Sequence, residues 1–170
     1  MSGGSIRPTS DPGLLNGHSP ALARRRLRLG PGLRRDSARA GRLEKLDADF
    51  AAGLANAKDK PFVTMHDAFP YLAGRYGLKV AGVIEQTPDV EPSLKYLSVL
   101  GRVIREEHVR VIFTERQSTG GSENKLAEQL GRDYNVPVAA LDTLETGEFT
   151  PDAYENGMRR NLQELEKYLK

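Results

Sequence analysis

A short apolar run ends at an imidazole in the stretch Pro61-Phe62-Val63-Thr64-Met65-His66-Asp67-Ala68-Phe69. Phe, Val and Thr are enriched in strands, so the run predicts a β-strand with His66 at its carboxyl end. Asp67 follows at a position that suits the N-cap of a helix, because its carboxylate can accept a hydrogen bond from a free N–H of the first turn. The stretch therefore predicts a strand followed directly by a helix.

Three later apolar runs also end at an acidic side chain. They are residues 78–84 before Glu85, residues 109–114 before Glu115, and residues 136–141 before Asp142. In open α/β sheets, ligands bind outside the carboxyl ends of the strands. We therefore expect His66, Glu85, Glu115 and Asp142 to lie around one crevice, where they would bring metal-binding or acid–base groups together.

Amphipathic helical patterns separate the predicted strands. The pattern before the first strand consists of Leu43, Leu46, Phe50 and Leu54, and the clearest later one consists of Tyr154, Met158, Leu162, Leu165 and Leu169. Spacings of three and four residues place these side chains on one face of a helix. Strands that alternate with helices form right-handed βαβ units. The sequence predicts an α/β lobe with a mainly parallel, four-stranded sheet flanked by helices.

Length and composition limit the kinds of site that the chain can form. A chain of 170 residues is long enough for one domain with a substantial core and an appendage. It contains no cysteine, which excludes disulfides, thiolate metal sites and cysteine nucleophiles. Any metal must therefore be bound by nitrogen and oxygen atoms.

The formal charge of +2 hides an asymmetry along the chain. Residues 1–42 carry nine arginines against two aspartates, whereas residues 43–170 carry 16 basic and 21 acidic residues. Residues 1–41, the Arg-rich head, are rich in Arg, Gly and Pro without a sustained helical or strand period, so we predict that they are disordered. An alternative role for this head is contact with a polyanion through Arg24, Arg25, Arg26 and Arg28. The chain as given shows no apolar run typical of an export signal or a membrane span.

Several motifs occur together in an order that resembles a known family. They are residues 63–71, Arg75-Tyr76-Gly77-Leu78, Glu91-Pro92-Ser93, Ile112-Phe113-Thr114-Glu115 and Leu141-Asp142. From about residue 42 onward, the chain resembles the C-terminal lobe of the zinc- and manganese-binding solute receptors of ABC transporters. The resemblance implies that residues 42–60 form the end of a rigid interlobe helix and residues 61–170 the C-terminal lobe.

The resemblance also implies which residues bind the metal. His66 and Asp142 match the two ligand positions of the C-terminal lobe, and Glu115 matches a nearby glutamate that orients a ligand or raises its basicity. Glu85 has no metal role in the resemblance. The implied function is binding of zinc or manganese as the transported ligand, without enzymatic activity. The implied partner is a membrane permease, and the implied location is periplasmic or otherwise extracytoplasmic.

The chain departs from the family at its N-terminus. The N-terminal lobe of such receptors supplies two further histidines, and residues 1–42 reproduce neither of their motifs. We therefore expect a truncated receptor whose first forty or so residues are non-native or frame-shifted. Two alternatives stay open: a stand-alone interaction or receiver-like domain, and an enzyme in which Glu85, Glu115 or Asp142 acts as a general base with His66 as an acid.

Overall fold

The computed structural model describes residues 31–87, 90–116, 122–147, 150 and 152–170. Five helices and four strands follow one another along this part of the chain. In order they are α1 (Pro31–Gly53), β1 (Phe62–Thr64), α2 (Pro70–Tyr76), β2 (Val80–Val83), α3 (Leu94–Glu106), β3 (Ile112–Glu115), α4 (Ser122–Tyr134), β4 (Val138–Leu141) and α5 (Ala153–Leu169). After the first helix, strands and helices alternate as the sequence predicts.

The four strands form one parallel sheet in the order β2-β1-β3-β4. β1 therefore lies between β2 and β3, and β4 forms an edge. Because all four strands run in the same direction, their carboxyl ends meet at one side of the sheet. The predicted fold class is confirmed.

Helices cover both faces of the sheet, and neighbouring strand residues point to opposite faces. Phe62 belongs to the core under α1, α2 and α5, whereas the next residue, Val63, belongs to the core under α3 and α4. On β3, Phe113 and Ile112 divide in the same way. This arrangement explains why the strands read as continuous apolar runs, since a parallel sheet is buried on both faces.

The element boundaries differ from the predicted ones in two places. α1 begins at Pro31, so residues 31–41 are helical where the sequence predicts disorder. Proline suits the first turn of a helix, and the following Arg, Leu and Ala residues favour helix. α2 begins at Pro70 with Phe69 as its N-cap, so Asp67 is not the cap that the sequence predicts. Here too the fixed backbone angle of a proline starts the helix.

The remaining part of the Arg-rich head, residues 1–30, lies outside the described residues. The predicted disorder there, and the predicted polyanion contact through Arg24, Arg25, Arg26 and Arg28, therefore stay predictions. Within the part of the chain that the structure describes, no helix is both long enough and apolar enough to cross a membrane.

Truncation of Phe50 tests whether α1 is part of the lobe. Phe50 is fully buried and stacks on the ring of Tyr76 at a centroid distance of 5.1 Å. We expect Phe50→Ala to lower the free energy of unfolding by about 3–5 kcal/mol. Urea unfolding followed by circular dichroism measures this loss. Tyr71→Ala is the matched control, because Tyr71 is 93% exposed and its loss should change stability by less than about 0.5 kcal/mol.

Candidate metal site at the strand ends

Sheet-like hydrogen bonds continue beyond the end of β1 and fix the backbone next to His66. The Met65 N–H donates to the Phe113 carbonyl at 2.8 Å, and the Glu85 N–H donates to the Met65 carbonyl at 2.9 Å. The backbone at Met65, directly before His66, is thus hydrogen-bonded to the segments of both neighbouring strands. The side chains that follow β2 and end β3 are thereby placed on either side of His66.

The imidazole of His66 lies between two carboxylates. Its Nδ1 is 2.8 Å from Oε1 of Glu115, and its Nε2 is 3.0 Å from Oε2 of Glu85. This pattern follows from the strand order, because β1 carries the histidine and its two neighbours carry the glutamates. Both ring nitrogens donate at once only in the protonated imidazole. When the imidazole is protonated, the cluster is charge-assisted, with a cation between two carboxylates.

Opposing effects act on the acidity of His66. Partial burial lowers the pKa of the imidazole, because burial disfavours the charged ring. The hydrogen bonds to Glu115 and Glu85 and the charges of these carboxylates raise it, and together they outweigh burial. The net effect raises the pKa of His66 above its ordinary value of 6.5.

Asp142 lies at the same side of the sheet, directly after β4, and is mostly buried. Its Oδ1 accepts a hydrogen bond from the Leu144 N–H at 2.9 Å, and its Oδ2 pairs with Arg160 at 3.3 Å. The buried Asn161 of α5 holds the backbone of Asp142: its Oδ1 accepts from the Asp142 N–H and its Nδ2 donates to the Asp142 carbonyl. The carboxylate thus closes a turn, and α5 fixes its position.

The structure joins three of the four predicted site residues by hydrogen bonds, namely His66, Glu85 and Glu115. In the described ranges, no group of three or more His, Cys, Asp or Glu side chains is arranged to hold a metal ion. The geometry of the ring gives the reason. Nδ1 and Nε2 point to different sides of the imidazole, so the two glutamates approach it from different directions. The ligand roles of His66 and Asp142, and the orienting role of Glu115, stay predictions.

The sequence reasoning missed three contacts at this site. The resemblance gave Glu85 no role at the metal site, although Glu85 lies within hydrogen-bond distance of His66, at 3.0 Å. The position of Glu85 at a strand end was the available signal. It also missed Arg160 and Asn161, which contact Asp142 across 18 and 19 residues of sequence. These two residues lie inside a helical pattern that shows no distinctive motif.

Comparison with known proteins identifies the family. Residues 35–168 match the family model described as "Zinc-uptake complex component A periplasmic". The chain belongs to this family. The resemblance predicted from the sequence is thus confirmed, and the match includes all four strands and the site between them.

Several relatives have names that state zinc binding or uptake. The chain is 35% identical to the zinc-binding protein AdcA of Streptococcus pyogenes serotype M1 over 130 residues, which are 73% of this chain and 24% of AdcA. It is 35% identical to the high-affinity zinc uptake system protein ZnuA of Bacillus subtilis over 104 residues, which are 61% of this chain and 31% of ZnuA. The chain thus spans about a quarter to a third of the length of these relatives, whose names describe zinc binding and zinc uptake.

Solved structures show the same fold. The structure of the solute-binding protein FpvC from Pseudomonas aeruginosa in complex with Mn²⁺ matches with a TM-score of 0.66 and 32% identity, over 80% of this chain and 50% of FpvC. The laminin-binding protein Lmb of Streptococcus agalactiae, described as having adhesin and metal-transporting activity, matches with a TM-score of 0.64 and 31% identity, over 75% of this chain and 48% of Lmb. The chain spans about half of each of these proteins.

The raised pKa of His66 predicts how the stability of the metal-free protein depends on pH. A raised pKa in the folded state stabilises the fold below the unfolded value of about 6.5, and this contribution is lost as pH rises through the folded pKa. With a chelator present, we expect the free energy of unfolding of the protein to fall as pH rises from about 6.5 through the folded pKa of His66. The free energy of unfolding of His66→Gln should fall less over the same pH interval. Urea unfolding at several pH values measures it.

His108→Asn is the matched control for this experiment. His108 is exposed and has a left-handed backbone with φ of 55°, which asparagine tolerates. This variant should keep the pH dependence of the original protein. Equal pH dependence in the original protein and in His66→Gln would contradict the prediction.

Proposed function

We propose that this chain is a metal-binding component of an ABC import system for zinc or manganese, with His66 and Asp142 as its ligands. The observation that carries the proposal is the position of His66 at the end of a central strand, in a chain that belongs to the zinc-uptake component A family. An imidazole that is partly exposed can meet an ion from solvent. The absence of cysteine in the sequence leaves nitrogen and oxygen as donors, which suit both metals.

Glu115 has a defined part in this proposal. Histidines that bind a metal through one ring nitrogen usually donate the other N–H to a carboxylate, which fixes the tautomer and the orientation of the ring. Glu115 Oε1 is 2.8 Å from Nδ1 of His66, as such a pair requires. With Glu115 at Nδ1, the Nε2 atom of His66 is the nitrogen that binds the metal.

The number of ligands implies that this chain supplies only part of the metal's coordination shell. Zinc takes four protein ligands, or three with one open position. His66 and Asp142 supply two, so water or a facing surface such as a second lobe must complete the shell. We therefore expect weak binding by this chain alone, with zinc preferred over manganese at a mixed nitrogen and oxygen site.

The proposal gives the chain a binding role rather than a catalytic one. The relatives named above are described as zinc-binding and zinc-uptake proteins, and the hydrogen-bonding partners of the His66 ring among the described residues are the carboxylates of Glu85 and Glu115. By the same family argument, the proposed partner is a membrane permease and the proposed place of action is outside the cytoplasm. Family membership favours this function over a receiver-like or interaction domain.

Titration calorimetry with Zn²⁺ tests the ligand assignment. We expect His66→Ala and Asp142→Ala each to weaken zinc binding by about tenfold or more, because each removes one ligand atom from a site that has few. Circular dichroism of each variant checks that it is folded. Unchanged zinc affinity in His66→Ala would overturn the proposed site, and unchanged affinity in Asp142→Ala would remove Asp142 from it.

Matched controls separate the site from adventitious binding of zinc. His108→Asn removes an exposed histidine outside the site, and Asp59→Ala removes an exposed aspartate before β1. Neither residue has a place in the proposed site. We expect both control variants to bind zinc as the original protein does.

Proton competition predicts a pH dependence of zinc binding. His66 must lose a proton before it binds a metal, and its pKa is raised above 6.5. Zinc affinity should therefore rise with pH and level off at a higher pH than for an ordinary histidine. Glu115→Gln removes one of the two carboxylates that raise this pKa, so it should move the midpoint of the dependence to lower pH. Zinc titrations between about pH 6 and about pH 8 measure both profiles.

A further inference from the structure

We propose that Glu85 is a metal ligand, so that the ion binds between Nε2 of His66 and Oε2 of Glu85 while Glu115 holds Nδ1. The inference rests on the proposed function, because it takes His66 as a ligand. It adds a donor from the β2 side of the sheet, to which the resemblance gives no metal role. The lobe would then offer the ion a nitrogen and a carboxylate oxygen that already lie next to each other.

The separation of the two atoms suits a shared metal ion. Oε2 of Glu85 lies 3.0 Å from Nε2 of His66. Zinc binds histidine nitrogen and carboxylate oxygen at about 2.0–2.2 Å, so two such donors on one tetrahedral ion lie roughly 3.3–3.6 Å apart. To bind the ion together with Nε2, the carboxylate of Glu85 would have to move off the line of the present hydrogen bond, because an ion on that line could not lie at bonding distance from both atoms.

Burial of Glu85 gives a second argument. The side chain of Glu85 is only 9% exposed, and in the described part of the chain its carboxylate has His66 as its hydrogen-bonding partner. A metal at Nε2 removes the N–H that Glu85 accepts from. An ionised carboxylate that is buried without a partner is costly. Coordination to the same ion satisfies Glu85 at the moment when it loses the hydrogen bond.

The two glutamates are not equivalent in this arrangement. Glu115 is the last residue of β3, where it pairs with Leu141 of β4, and it makes the shorter contact to the ring. It is therefore suited to hold the ring in place. Glu85 follows β2, makes the longer contact, and faces Nε2, the ring nitrogen farther from the backbone. The backbone of Glu85 is nevertheless fixed by its hydrogen bond to the Met65 carbonyl at 2.9 Å.

Two substitutions of Glu85 test the inference by zinc titration of the full chain. Glu85→Gln keeps the shape of the side chain and removes its charge, whereas Glu85→Asp keeps the charge and withdraws the carboxylate by one methylene. If Glu85 is a ligand, both variants should bind Zn²⁺ about tenfold more weakly or worse. Glu91→Gln is the matched control, because Glu91 is exposed in the loop that follows Glu85. It should bind zinc as the original protein does.

The alternatives give different results. If Glu85 only competes with the metal for the ring, Glu85→Gln should bind zinc as tightly as the original protein or more tightly. If Glu85 contributes only its charge, Glu85→Asp should bind normally. Either result overturns the inference while leaving the proposed function intact, provided that His66→Ala loses binding. Zinc binding that survives His66→Ala overturns the proposed function itself.

A measurement on the unsubstituted protein covers the case in which a Glu85 variant does not fold. The side-chain carboxyl carbon of Glu85, observed by ¹³C NMR after sequential assignment, should shift in proportion to added Zn²⁺. The corresponding carbon of Glu91 should not shift. A Glu85 signal that stays unchanged while zinc binds would overturn the inference.

Discussion

The pairing of β1 with a parallel strand on each side is the constraint on which the site depends. β1 has only three residues, Phe62 to Thr64, and all three are buried. Its partners β2 and β3 run in the same direction. The hydrogen bonds that both neighbouring segments make with β1 continue one residue beyond the strand, to Met65. His66 therefore emerges between two fixed backbones. A shift of either pairing by one residue would turn a glutamate away from the imidazole, because successive strand residues face opposite sides.

The helices provide the rigidity that such a short strand lacks. Burial of large apolar side chains on both faces, among them Phe50, Phe113 and Ile104, supplies most of the stabilisation of the lobe. Ion pairs then link the helices on one face: Asp47 of α1 accepts two hydrogen bonds from Arg75, and Asp49 of α1 pairs with Arg159 of α5. These pairs are partly exposed, so they contribute orientation more than free energy.

Electrostatics links the metal-free state to metal binding. His66 makes hydrogen bonds to two carboxylates that are themselves largely buried, at 9% and 15% side-chain exposure. In the proposed site, a divalent cation at Nε2 contacts Glu85, while Glu115 keeps its hydrogen bond to the N–H at Nδ1. Because His66 must release a proton before it binds a metal, the proposed binding depends on pH.

Much of the architecture could be predicted from local patterns. The alternation of apolar runs and amphipathic helices is a property of neighbouring residues, and it correctly indicates the βαβ succession. The four polar residues at the strand ends could be found for the same reason. The first residues of the helices were harder to predict, because α1 and α2 begin at Pro31 and Pro70 and not after a typical N-cap residue such as aspartate.

The amino-acid sequence alone determined the α/β class, the order of the elements, the nitrogen and oxygen character of any metal site, and the motifs that indicate the family. Only the tertiary structure decided which strand ends become neighbours. The order β2-β1-β3-β4 places Glu85 and Glu115 on either side of His66, and α5 brings Asn161 to the backbone of Asp142. These contacts join residues that lie 19 to 49 positions apart. Local periodicity indicates which face of a helix or strand is buried. It does not indicate which other element lies next to it, because the packing of the whole sheet decides that.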